Sequence, residues 1–236
     1  MLDGARFMCG RFSNSTSSDD VKAVFKLSFP SSGGARGHNN RPQWNIAPSM
    51  MVDTVVNFGQ RRHLTAMTWG IATPQNTRPL INARSETMFE KPTFRQAARM
   101  RRCLVIASGW FEWAAPKKPY FIRRADDAPM GMAGLYWDDA IDGGRRCVIV
   151  TTPADRELAA LYHRAPMVLD PQHFGDWLNP DASLDVVASL TRPTLDSIFQ
   201  WHPVSAEVGS TRVDHDQLVA CDDNRGIISE PQLSLF

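Results

Sequence analysis

Nowhere in the chain do roughly 18 apolar residues run together, the length a helix needs to cross a bilayer, so a helical membrane span is excluded. The opening stretch MLDGARFM lacks the basic-then-apolar plan of a secretory signal, which leaves the cytoplasm as the expected compartment. Cysteine is scarce. Cys9, Cys103, Cys147 and Cys221 are widely scattered, with no CxxC pair and no His-x3-His partner, a pattern that offers neither a zinc site nor a disulfide framework. Reduced thiols are expected, and no metal or organic cofactor is implied. Charge of one sign is missing too: 26 basic residues face 25 acidic ones for a net charge of +1. The field of the whole molecule therefore does not draw it onto nucleic acid, and any such site must be a local patch.

What is present is the composition of an ordinary globular chain, 43% hydrophobic and 22% charged over 236 residues. Residues 30–42, rich in Gly, Ser, Asn and Pro, read as a surface loop after a first helix at 18–25. Residues 51–58 and 64–69 read as strands, and 93–100 as a helix behind Pro92. Short apolar runs at 103–107, 120–122, 131–137 and 147–151 read as strands of a mainly antiparallel sheet. Helices are expected at 154–162 and 172–177, then a short element at 194–199. Mixed elements without regular βαβ alternation indicate an α+β fold, a mainly antiparallel, barrel-like sheet flanked by helices. One domain at 9–225 is the simplest division, with an extension at 1–8 and a tail at 226–236.

The segment Met8-Cys9-Gly10-Arg11-Phe12 says little alone, because a lone cysteine usually serves as a small buried hydrophobe. Its company is more informative. Trp44-Asn45-Ile46-Ala47-Pro48, Trp69-Gly70, Asn82-Ala83-Arg84-Ser85-Glu86-Thr87, Gly109-Trp110-Phe111-Glu112-Trp113 and His163-Arg164-Ala165-Pro166 follow in that order. Together they resemble the SOS-response-associated peptidase (SRAP) family, in which an MCGRF-like start precedes NIAP, NARSE, GxxEW and H-x-R-M-P motifs. The resemblance runs from Cys9 to about Cys221.

The resemblance implies a protein that captures abasic sites in single-stranded DNA, with an autoprocessing peptidase activity at its own N-terminus. An abasic sugar carries a masked aldehyde. An N-terminal cysteine offers an amine to form a Schiff base and a thiol to close a thiazolidine ring, leaving a covalent crosslink. An α-amine of pKa near ~8 and a thiol near ~8.5 are both partly reactive at neutral pH. By the resemblance Cys9 is the nucleophile, Glu112 the general acid–base residue and Asn82 the group that holds sugar and cysteine. Arg11, Asn45, Trp69, Arg84 and Arg164 are the implied DNA contacts, Trp69 by stacking. Local basic residues at Arg101, Arg102, Lys117 and Lys118 are expected to add to that groove.

Two features depart from the family pattern. Eight residues precede Cys9, whereas the chemistry needs a free amine; a start at Met8, or removal of the segment, supplies one. The family histidine falls on Tyr162, with His163 one residue late, so either side chain is a candidate for that role. A phenol near ~10 is a poorer proton carrier at neutral pH than an imidazole near ~6.5. Two other readings stay open: a non-covalent single-stranded DNA-binding module, and a cysteine protease acting on other proteins through Cys9, His163 and Asn82.

Overall fold

The computed structural model describes residues 9–27, 41–59, 61–73, 76–115, 118–139, 143–191 and 196–222. The extension at 1–8, the loop at 30–42 up to residue 40, Lys117, residues 194 and 195, and the tail at 226–236 lie outside them. In chain order the strands are β1 (Phe12–Asn14), β2 (Gln43–Ile46), β3 (Met51–Phe58), β4 (Arg61–Trp69), β5 (Ile71–Thr73), β6 (Asn76–Leu80) and β7 (Asn82–Arg84). There follow β8 (Arg102–Ala107), β9 (Gly109–Ala115), β10 (Lys118–Arg124), β11 (Met130–Asp138), β12 (Arg145–Pro153), β13 (Arg164–Pro166), β14 (Val168–Leu169) and β15 (Phe199–Pro203). The helices are α1 (Ser18–Phe25), α2 (Arg95–Met100), α3 (Leu158–Leu161), α4 (Phe174–Leu178) and α5 (Leu184–Ser189).

One sheet has the order β15-β10-β9-β1-β2, antiparallel throughout. A larger sheet runs β13-β12-β4-β3-β8-β11-β14, with β7 also on β12, while β5 and β6 pair with each other. Because β11 additionally pairs with β12, the pairing path from β12 through β4, β3, β8 and β11 returns to β12. Most of these pairings are antiparallel. Those of β12 with β4 and with β7 are parallel, so the sheet is mixed, a feature that the alternation of side chains along single strands does not encode.

Side-chain alternation divides the apolar residues into two layers. Val148 and Val150 of β12 point to a cluster under the helices with Phe25, Leu104, Leu135 and Trp177. Cys147 and Ile149 point the other way, between the two sheets, where Phe12, Trp69, Trp110 and Phe199 meet. Helix α1 starts at Ser17, whose hydroxyl accepts from Asp20 N at 3.1 Å, and ends at Lys26 in the left-handed region. Its Phe25 stacks on Phe174 of α4 at 5.1 Å.

Several elements depart from the sequence-based expectation. The helix expected at 154–162 shrinks to α3, because Pro153 stays in β12 opposite Arg164 and Tyr162 is extended (φ −157°, ψ 144°). Helix α2 begins two residues late, with no side-chain cap at Phe94. The 172–177 segment splits into a 3₁₀ turn at Pro171–His173 and α4, and residue 199 opens a strand. Helix α5 was not anticipated, although Ser183 caps it by accepting from Val186 N.

One buried cation joins the helices to the sheet. Arg102, expected in a DNA groove, is 4% exposed, and its guanidinium donates to the carbonyls of Ala98 (2.8 Å) and Arg99 at the end of α2. It also donates to Trp177 O (2.6 Å) and Asn179 O at the end of α4. These are the carbonyls a helix C-terminus leaves without partners, and desolvation pushes the guanidinium down to about 10. Replacing Arg102 by alanine is expected to cost about 2–4 kcal/mol, read from the denaturant midpoint. A loss below about 0.5 kcal/mol would show that the clamp carries no stability.

Candidate active site

The residues after Cys9 run alongside β9. Arg11 O accepts from Phe111 N at 3.0 Å, Phe12 pairs with Trp110, and the Cys9 N–H donates to Glu112 Oε1 at 3.1 Å. On the other side of β9, Gly109 lets β10 pack closely, since a Cβ there would lie 2.2 Å from the Phe121 ring and 2.7 Å from Ile122 O. Cys9 itself has φ +43°, a left-handed conformation that costs a non-glycine residue roughly 1–3 kcal/mol. Ser49, beside Pro48, has φ +72°, so two of the four positive-φ non-glycine residues described flank the same place.

Cys9 is 3% and Glu112 4% exposed. Burial raises the Glu112 carboxyl to about 8, against hydrogen bonds from the Cys9 thiol and N–H that pull it down. Burial also pushes the Cys9 thiol well up, and the Glu112 charge and hydrogen bond add to that, while the Arg164 charge opposes it. Near neutral pH the pair therefore holds a protonated carboxyl beside a protonated thiol. A carboxyl poised in this range can both give and take a proton at neutral pH.

Strand β12 brings the remaining motifs alongside. Asn82 is in register with Ile149 and Arg84 with Thr151, so alternation puts all four on the face of the layer between the sheets. Trp110 of β9 belongs to that layer, and Glu112, two residues on, shares its face. Asn82 is half-buried and Arg84 exposed. Arg164 is nearly buried; both its Nη atoms meet the Glu86 carboxylate, and Nη2 also donates to Thr151 O (2.6 Å) and Oγ1 (3.1 Å). That grip draws Glu86 down to about 2.

A cleft of about 430 Å³ opens beside the pair, lined by Gly10, Arg11, Pro48, Glu112, Trp113, Tyr162 and Thr211. Tyr162 thus faces the cleft, whereas His163 is exposed and is not among its lining residues, its ring lying 4.4 Å from that of Tyr162. Of the two candidates for the family histidine's role, Tyr162 is the one that lines this cleft.

Other expected DNA contacts are placed differently. Trp69 is 0% exposed: its ring meets Phe12 edge-on at 5.1 Å and its Nε1 donates to Ile81 O at 3.0 Å, which corrects the expectation of base stacking. Asn45, 2% exposed, accepts from Arg11 Nη1 (2.7 Å) and donates to the carbonyls of Ser210 (2.9 Å) and Val213 (2.7 Å). Arg11 donates to Val208 O as well, so Arg11 and Asn45 brace the wall that carries Thr211. Arg101 pairs with Asp138, and Lys118 is exposed on β10. Glu86 and Trp113 stood inside recognised motifs without an assigned role. Thr151 and Thr211 had no signal of their own, because only the strand register and the chain's return bring them here.

The raised Glu112 pKa has a consequence for stability. Between the usual carboxylate value of 4.5 and about 8 the folded chain keeps a proton that the unfolded chain has lost. The stabilisation is complete below 4.5 and is lost as pH rises through about 8, by up to about 5 kcal/mol. Glu112→Gln is expected to flatten this fall in denaturation measurements from pH 5 to 8.5. An identical slope in wild type and variant would place the Glu112 proton in water.

The family described as SOS response associated peptidase (SRAP) matches residues 8–211. The abasic site processing protein YoaM of Bacillus subtilis is 29% identical over 232 residues, covering 92% of this chain and 100% of that protein. The abasic site processing protein YedK of Escherichia coli is 31% identical over 226 residues, covering 90% of this chain and 99% of its own. A crystal structure of a protein from Bacteroides thetaiotaomicron has the same fold, with a TM-score of 0.72 and 24% identity over 89% of this chain and 99% of that one. With the motifs in order and Cys9, the first of their residues, bonded to Glu112, the chain belongs to the SRAP family.

Proposed function

We propose that the protein traps abasic sites in single-stranded DNA as a thiazolidine crosslink through a free α-amine on Cys9. The observation that carries this reading is the hydrogen bond from the Cys9 nitrogen to a buried Glu112 whose carboxyl sits at about 8. The amine attacks the C1′ aldehyde, and the carbinolamine hydroxyl leaves as water after taking a proton from Glu112. The thiol then adds across the C=N bond, sulfur to carbon and its proton to nitrogen through Glu112. No net oxidation occurs, and the only by-product is water. An internal cysteine lacks this route, since an amide nitrogen is not nucleophilic. The relatives YoaM and YedK are named as abasic site processing proteins, which supports the same substrate.

Asn82 is assigned to holding the sugar and Arg84 to a backbone phosphate. Tyr162 gives the cleft a hydroxyl donor at one of the two positions considered for the family histidine. Peptidase action on the bond before Cys9 fits the same pair, because the nitrogen released there is the one Glu112 already contacts. A conventional thiol protease built on His163 is less well supported, since that ring lies outside the cleft lining.

A form of the chain beginning at Cys9 is expected to give a heat-stable crosslink with single-stranded DNA bearing one abasic site, and a form retaining residues 1–8 uncut is not. Cys9→Ala abolishes the adduct and Cys9→Ser leaves at most a reducible Schiff base. Glu112→Gln slows capture by roughly 10²–10⁴-fold if proton transfer is its whole role. Crosslinking of the uncut form through an interior lysine, at the rate of the Cys9 form, would defeat the proposal.

A further inference from the structure

Rings and guanidinium groups meet at the end of the larger sheet away from the cleft. Strand β3 begins at Met51, three residues after the cleft residue Pro48, and ends at Phe58, which at the rise of a strand lies about 24 Å further on. Phe58 is 45% exposed and is the one aromatic among the large hydrophobic residues exposed in the described chain. The Arg145 guanidinium lies over its ring at 4.9 Å and over the Tyr136 ring at 5.5 Å, and the His63 ring meets Phe58 edge-on at 5.7 Å. Arg101, expected from the sequence in the groove beside Cys9, joins this group instead. Its carbonyl accepts from Tyr136 N at 2.9 Å, and its guanidinium shares the Asp138 carboxylate with Arg145, at 3.5 and 3.2 Å. Arg61 stands opposite Phe58 on β4, exposed and without an acidic partner among the described residues. The neighbouring Arg146 and Asp139 pair with each other. Three arginines about one carboxylate leave the described cluster with a net positive charge.

We propose that this cluster is a second contact for single-stranded DNA, in which a base stacks on Phe58 while Arg61, Arg101 and Arg145 neutralise the phosphates beside it. An exposed aromatic ring in a positive field suits a polyanion that carries flat apolar faces of its own. Every base has such a face, so the contact is indifferent to sequence and to the lesion. An acidic protein surface would meet the cations and leave the ring without a partner. The choice of DNA over RNA rests on the capture reading; the surface itself does not. Two contacts on one strand raise the effective concentration of that strand at the cleft with no new bond at the abasic sugar.

The test uses DNA without an abasic site, so it does not depend on Cys9. A thymidine-rich oligonucleotide carrying iododeoxyuridine is irradiated with the full chain, and the linked peptides are mapped by mass spectrometry. Adducts are expected on the peptide that holds Phe58 or on the one that holds Tyr136. Phe58→Ala is expected to weaken binding of the same oligonucleotide roughly 5–100-fold, and Phe58→Trp to keep it. Arg61→Ala is expected to make the log–log salt dependence shallower by about 0.7, the value for one phosphate contact on a single strand. Both side chains are exposed, and circular dichroism checks that each variant folds. Adducts confined to cleft peptides, such as the one with Trp113, overturn the proposal. So does wild-type affinity in Phe58→Ala, even where Arg61→Ala has its effect, because charge alone would then carry the binding. An oligouridylate run in parallel separates the two nucleic acids: losses seen with RNA alone overturn the assignment to DNA. Should the expected results appear while the Cys9 form fails to crosslink abasic DNA, the capture reading fails and the second contact stands.

Discussion

The arrangement hangs on Trp69, a core residue tied to three motif segments at once. Its ring meets the edge of Phe12, three residues after Cys9; its Nε1 donates to Ile81 O, directly before Asn82. Its backbone closes the turn after Pro48, with Ser49 N donating to Trp69 O at 2.8 Å and Trp69 N to Met50 O at 2.9 Å. A buried indole whose polar atom is satisfied couples the positions of everything it touches, because neither the ring nor the hydrogen bond tolerates a shift of one element alone. The cysteine segment, the asparagine strand and the Pro48 wall thus share one anchor. Gly70 continues it: its φ of +113° turns the chain away from β4 just after its N–H donates to Cys147 O at 2.8 Å.

On that frame the site holds several locally unfavourable features together. Cys9 keeps a left-handed backbone, and Glu112 is a carboxylic acid sealed between the sheets. Arg164 is a cation taken almost out of water. Each is tolerated because the surroundings over-determine it: β9 is pinned between β1 and β10, and Arg164 between Thr151 and Glu86. Clustering of such features at one end of the interlayer, beside an open cleft, is what separates the surroundings of Cys9 from those of the buried Cys103 and Cys147. Those two are also pushed up by burial, but they stand in the apolar interior of the larger sheet.

Much of this was legible in the sequence, for identifiable reasons. Strand β3 was bounded correctly because MVDTVVNF is rich in β-branched residues, and α1 because Ser17 and the left-handed Lys26 end it cleanly. The Cys9–Glu112 contact follows from motif order and not from spacing, since 103 residues separate them. Features set by register were not legible. Residues 154–157 look helical until the β12 pairing carries Pro153 into the sheet. For Trp69 the motif points to a stacking face where tryptophan in general points to the core, and which it takes is decided by which strands pair. Nor does the sequence show that the return of residues 208–213 supplies carbonyls that Arg11, a residue of the cleft lining, and Asn45 both bind.

Tyr162 is where the motif and the fold disagree in a useful way. An imidazole and a buried carboxyl in one cleft form two groups that titrate near neutrality, and their protonation states couple. A phenol ionises near ~10 in water, so at neutral pH it gives a hydrogen bond without moving a proton. With Tyr162 lining the cleft and His163 exposed, the proposed reading assigns proton transfer beside Cys9 to Glu112, whose carboxyl sits at about 8. On the proposed reading, ring closure and ring opening pass through the same carboxyl, so the balance between capture and release is set by the burial that raises it. That carboxyl lies on the face of Trp110, with the Cys9 N–H bonded to it, at the layer that Trp69 anchors.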